Sequence, residues 1–130
     1  MNDFWKDIKH FASVEFDDPT EKGSGAKMNP EFLVLLDKLR EKVGYPIHIN
    51  SGFRTEAHNQ KVGGKPGSAH TKGVAADISC PTSQSRYEVV KAAYELGFKR
   101  IGIGDTFVHI DLSFDLPQTV LWLYPPGARG

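Results

Sequence analysis

Apolar residues recur along this chain at two spacings, and the changes between them mark its elements. Phe32, Leu35, Leu36, Leu39 and Val43 fall at helical spacing. Asn29-Pro30-Glu31 in front of them supplies a cap, a first-turn proline and an acidic residue at the positive end of the dipole. Gly44 closes that helix. A second long helix is expected over 85–96, with Ser85 and Glu88 as a capping box and Gly97 as the stop. Thr55 caps a shorter helical piece running to Val62. Alternating or continuous apolar runs predict strands at 47–50, 74–78, 100–103, 107–111 and 120–124. Residues 1–16 carry apolar side chains at mixed spacing, which suggests a short helix and then an extended piece. Residues 17–27 are polar and Gly-rich and read as a surface loop. This order predicts an α+β domain in which helices flank a small antiparallel sheet.

Bulk composition narrows the function classes. The 130 residues suffice for one domain (1–130) with its own core, and no repeat or second unit is visible. Residues 28–124 form the expected core unit, with 1–27 as an N-terminal extension and loop. A formal net charge of zero leaves no basic field for nucleic acid or an anionic membrane, and a monomer is expected. Cys80 is the single cysteine, so no intramolecular disulfide can form, and it reads as a small packed thiol. No apolar run approaches the roughly 20 residues needed to span a bilayer. Nor does the N-terminal stretch have a signal-peptide core, so a cytoplasmic product is expected, one that meets a cell wall only after release. The acidic pair Asp17 and Asp18 reads as solvated, with a second cation there left open.

Two fragments carry the chemistry, Ser68 to Asp77 (S-A-H-T-K-G-V-A-A-D) and Phe107 to Asp111 (F-V-H-I-D). Gly73 and the β-rich V-A-A-D-I run place His70 in a turn and Asp77 on the outgoing strand, so both can face one point. Alternation in the second fragment puts Phe107, His109 and Asp111 on one face and Val108 and Ile110 on the other. A carboxylate following V-A-A in an apolar segment needs a partner, because buried charges are paired or metal-bound. His70, Asp77 and His109 together make a three-ligand set for one zinc ion with an open position, the arrangement of catalytic sites. Non-haem iron also uses two histidines and a carboxylate, but that pattern needs a histidine well downstream of H-x-D, and none follows His109. His10, His48 and His58 have no ligand spacing and read as surface or hydrogen-bonded side chains.

The motifs resemble a known family. S-G-F-R-T (Ser51 to Thr55), H-N-Q-K-V-G-G (His58 to Gly64), S-A-H-T-K-G-V-A-A-D-I and F-V-H-I-D occur in the order seen in zinc D-Ala-D-Ala peptidases. That group spans cell-wall carboxypeptidases, some phage endolysins and relatives of the hedgehog/D-Ala-D-Ala peptidase fold. The resemblance covers about residues 28–124. It implies zinc on His70, Asp77 and His109, a substrate-anchoring and oxyanion-stabilising Arg54, and Ser68 as a supporting substrate contact. A guanidinium held by a turn is chemically suited to that role, since it can pair a carboxylate or a polarised carbonyl. Gln60, Phe107 and Trp122 are further candidates for the pocket wall.

Many relatives carry Glu or Asp three residues before the last zinc histidine, where this chain has Thr106. The general base is therefore a choice between Asp105, which is favoured, and Asp111, which could equally orient a ligand histidine. The implied activity is zinc-dependent hydrolysis of peptidoglycan peptides. The alternative is a zinc-containing binding module of the same fold that no longer hydrolyses.

Overall fold

The computed structural model describes residues 4–130. Helix α1 (Pro30–Val43) begins where the Asn29 side chain accepts the Phe32 N–H, and Gly44 ends it in a left-handed conformation. Phe32, Leu36 and Leu39 are buried as the periodicity predicts, Leu35 and Val43 are partly buried against the same core, and Leu33 is buried as well. Helix α2 (Glu56–Lys61) starts at Thr55, whose hydroxyl accepts the His58 N–H. Helix α3 (Ser83–Glu95) begins earlier than its apolar pattern suggests. Its cap is Thr82, and Ser85 closes the capping box from the N3 position. Glu88 instead accepts the Tyr45 hydroxyl at 2.8 Å.

Five strands form one sheet: β1 (Ile49–Ser51), β2 (Ala75–Ser79), β3 (Arg100–Ile103), β4 (Phe107–Asp111) and β5 (Val120–Leu123), in the order β1-β2-β4-β3-β5. Every pair is antiparallel except β3–β5, which is parallel, so the sheet is mixed at one edge. The reason is topological. β2 and β3 already occupy both edges of β4, so the chain leaving β4 must pass the start of β3 and join its free edge in the same direction. With α1 and α3 packed together and α3 against β3 and β4, Ala76, Ile78, Val108, Ile110 and Ile101 are buried in the core. The alternate residues of β2 and β4 are left for the site.

The N-terminal stretch is more ordered than its sequence suggests. The helix expected within residues 1–16 reaches partly outside the described residues, and what is described forms two 3-10 turns, Phe4–Asp7 and Ser13–Phe16. Ile8, Phe11 and Phe16 join the common core, so this segment is packed into the molecule. Asp37 on α1 fixes its course by accepting the Lys9 and His10 backbone N–H groups at 2.8 and 3.0 Å.

Residues 17–27 are likewise not a solvated loop. Asp18 is buried and accepts from the backbone N–H of Thr20 and Thr55. Asp17 accepts from Gly23 and Gly25, and a 3-10 turn runs over Ser24–Lys27. The acidic pair is thus spent on backbone donors that apolar packing would otherwise leave unsatisfied.

Candidate metal centre and its cleft

A single row of residues across the sheet builds the site. Asp77 on β2 faces His109 on β4, His109 faces Gly102 on β3, and Gly102 faces Trp122 on β5. Gly102 has to be glycine in this row. A Cβ there would stand 2.6 Å from ring atoms of both Trp122 and Tyr124. Without one, the Trp122 ring approaches His109 with centroids 5.5 Å apart.

The third member, His70, comes from a 3-10 turn, Ala69–Lys72, that enters β2. Ser68 caps this turn, its hydroxyl accepting the His70 N–H at 3.2 Å. Gly73 ends the turn at φ 72°, where a Cβ would meet the Lys27 carbonyl at 2.6 Å. One donor atom from each of His70, Asp77 and His109 lies within 4.8 Å of the others, and all three residues are buried.

The hydrogen bonds define what these atoms can do. His70 Nδ1 lies 2.8 Å from the Gly52 carbonyl, which makes Nδ1 the protonated nitrogen. Its Nε2 is buried, stands 3.4 Å from Asp77 Oδ1 and has no hydrogen-bond partner. An orphaned buried lone pair beside a carboxylate costs free energy unless something electrophilic fills the gap. The donor set of two imidazoles and one carboxylate is a borderline-soft set that suits zinc. The residues present therefore fit a divalent metal ion, with His70 Nε2, Asp77 and His109 as the groups that would hold it.

His109 differs from His70. Its Nδ1 sits 2.9 Å from Asp77 Oδ1, and its Nε2 sits 2.7 Å from Asp111 Oδ2. Burial disfavours its charge, but the bonds to Asp111 and Asp77 outweigh that and push its pKa up to about 9. Burial likewise lowers the His70 pKa, against the pull of Asp77. Burial alone would raise the Asp77 pKa, but the two histidines hold this carboxyl well below the usual range. A preformed anion among nitrogen donors is what a cation needs.

Asp111 is fully engaged. Besides His109 it accepts from Arg100 Nε at 2.8 Å and from the Ser113 N–H at 3.0 Å. Arg100 in turn lies over the Trp122 ring at 4.9 Å. Asp105 is placed differently, exposed on the turn before β4. It makes no hydrogen bond or ion pair to the three buried donors, and its Oδ2 accepts the Gly127 N–H at 3.2 Å.

Arg54 is buried beside the centre. Its guanidinium donates to Ser51 Oγ at 3.1 Å and Asn59 Oδ1 at 3.2 Å, and reaches Asp77 Oδ2 at 3.5 Å. Burial lowers its pKa while Asp77 opposes that, and neighbouring Arg129 adds to the lowering. Asn50, Ser51, Arg54, Asp77, Thr106 and Phe107 line a cleft of about 180 Å³ that residues 128–130 close on one side.

Of the other sequence candidates, Phe107 lines this cleft and Trp122 stands against His109. Gln60 does neither: it lies on the exposed side of α2. Asn59, its neighbour, is the buried residue that holds Arg54 and also donates to the Lys65 carbonyl. Ser51, Asn59, Arg100 and residues 128–130 are neighbours of the centre that were not singled out from the sequence, although Ser51 and Asn59 stand inside the family motifs. The motif H-N-Q-K-V-G-G was the available signal for Asn59, whereas Arg100 opens a short strand with no distinguishing pattern.

Comparison with known proteins decides the family. The family model described as Peptidase M15 matches residues 9–111. This chain belongs to the peptidase M15 family. The match starts earlier than the resemblance read from the motifs and takes in the Ser13–Phe16 turn, whose Phe16 packs into the core. Among solved structures, the Serratia marcescens L-Ala D-Glu endopeptidase ChiX has a similar fold, with a TM-score of 0.52 and 18% identity. The alignment covers 68% of this chain and 83% of that one. No curated protein matches the sequence. M15 membership makes the chain a peptidase by family and so a hydrolase. No helix among its described residues is long and apolar enough to cross a membrane.

Proposed function

We propose that this chain is a zinc-dependent peptidase that hydrolyses peptide bonds of bacterial peptidoglycan, as a D-Ala-D-Ala carboxypeptidase or an endopeptidase of the endolysin type. The observation that carries the reading is the buried, unpartnered His70 Nε2 facing Asp77 and His109 next to a buried Arg54. Its ChiX-like fold and M15 membership support the same class of substrate.

The roles proposed for the residues combine the geometry with the resemblance. His70, Asp77 and His109 would hold one zinc ion, which when bound supplies Lewis-acid polarisation of a carbonyl and acidifies a water. Arg54, oriented by Ser51 and Asn59, pairs with substrate carboxylate or with charge developing on the scissile carbonyl oxygen. Asp111, bonded to His109, Arg100 and the Ser113 N–H, serves to fix the His109 ring. Asp105 is left as the carboxylate to take a proton from the attacking water and return it to the leaving nitrogen. Ser68 acts on His70 through its cap, and Phe107 and Trp122 provide apolar walls.

Purified protein with one equivalent of zinc, incubated with peptidoglycan fragments, is expected to release new amines detectable by mass spectrometry. His70→Ala should lose metal and cleavage together. Cleavage that persists in the chelator-stripped His70→Ala protein would sink the reading. Zinc binding without any cleavage would assign the chain to the binding-module alternative.

A further inference from the structure

Beyond β5 the chain turns back over its own cleft. Tyr124 still pairs with β3, its N–H bonded to the Ile103 carbonyl at 2.9 Å. Pro125-Pro126-Gly127 then reverses direction, with Gly127 at φ 78° and the Ala128 N–H bonded to Pro125 O at 3.1 Å. Two contacts fasten the returning segment. The Gly127 N–H binds the Asp105 carboxylate, and the Gly130 carbonyl accepts from Arg54 Nη2. The Gly130 backbone lies so close to Asp77 that a Cβ on it would run into that carboxylate.

These contacts engage two groups that the proposed reaction needs free. Arg54 is the candidate anchor for a substrate carbonyl or carboxylate, and a backbone oxygen of Gly130 already sits on it. Asp105 is the candidate base, and a backbone N–H already holds it. The fastening is weak by design of its parts. It consists of two hydrogen bonds from a segment with little side chain to bury, and it brings Arg129 towards Arg54, where the two positive charges repel.

We propose that residues 125–130 form an autoinhibitory strap, a peptide of the chain lying where a substrate peptide would lie, which must leave before metal or substrate can enter. This rests on the metal-centre reading above. The strap is a device of exclusion: it occupies the Arg54 donor, crowds the open side of Asp77 and ties up Asp105 with one segment.

Gly130→Val puts a side chain against Asp77 and should expel the segment. Gly127→Val strains the turn without touching any of the three residues that would hold the metal. Cobalt(II) uptake by the metal-free protein, followed by stopped-flow absorbance, reads the entry step without relying on turnover. Both variants are expected to take up the ion several-fold faster than the parent chain and to reach the same final spectrum, because the ligands are unchanged. Equal uptake rates in all three proteins would overturn the strap while leaving the metal centre standing. No uptake by any of them would overturn both. Cobalt uptake with zinc-loaded protein inert on peptidoglycan would count against the peptidase reading alone.

Discussion

His70 and His109 have the same side chain but opposite surroundings, and the difference assigns them different tasks. A backbone carbonyl takes one nitrogen of His70 and leaves the other bare, whereas both nitrogens of His109 meet carboxylates. Asp111 therefore acts on the centre through His109, and its removal gives a separable result. Asp111→Ala should weaken metal affinity by about 10–100-fold, the usual cost of deleting a group that orients a metal-binding histidine. Titration against a competing chelator measures this. A variant that binds metal as tightly as the parent but has lost turnover would instead make Asp111 the base. Sequence alternation had already placed His109 and Asp111 on one face, but alternation cannot tell an orienting carboxylate from a catalytic one. That distinction depends on Arg100 and the Ser113 N–H, which also hold the Asp111 carboxylate, one from another strand and one from the following turn.

Elements position these side chains through register, and Gly102 shows how tightly. The row Asp77–His109–Gly102–Trp122 runs over four strands, and its third position must be empty for the rings on either side to meet. Gly102→Ala should cost about 1–3 kcal/mol, the range for overpacking, and shift the Trp122 fluorescence of the folded state. Chemical denaturation gives the first number, and an unchanged stability would mean that the rings swing away freely. The pattern of apolar positions located the five strands and helices α1 and α3, while α2, whose one buried residue is Asn59, was marked by its Thr55 cap. It did not reveal the parallel β3–β5 pair, since strand direction at an edge depends on which edge is vacant. Nor did it reveal the ordered 17–27 stretch. There the structure is held by carboxylates reaching backbone N–H groups several residues away, an interaction with no period.

For the whole molecule, metal-free stability and metal binding should respond to pH in opposite ways. His109 in the metal-free fold has a pKa of about 9, above the roughly 6.5 of an unfolded histidine. The folded state thus holds a proton that the unfolded chain gives up first. Its contribution is fully present below about pH 6.5 and is lost as pH rises through about 9, at most ~3 kcal/mol at 1.36 kcal/mol per unit. Asp77 and Asp111, held below their ordinary range, contribute above about pH 4 and lose that contribution on acidification. His70, lowered by burial, adds to the loss on the acid side. Urea midpoints of the metal-free protein should accordingly fall between pH 6.5 and 9, before buried Cys80, raised to about 11, enters the balance. Zinc reverses the trend, because a nitrogen that binds the ion must first release its proton. The gap between zinc-loaded and metal-free midpoints should widen steadily across the same window. A gap that stays constant from pH 6.5 to 9 would show that His109 does not give up a proton to the metal, and would remove it from the ligand set.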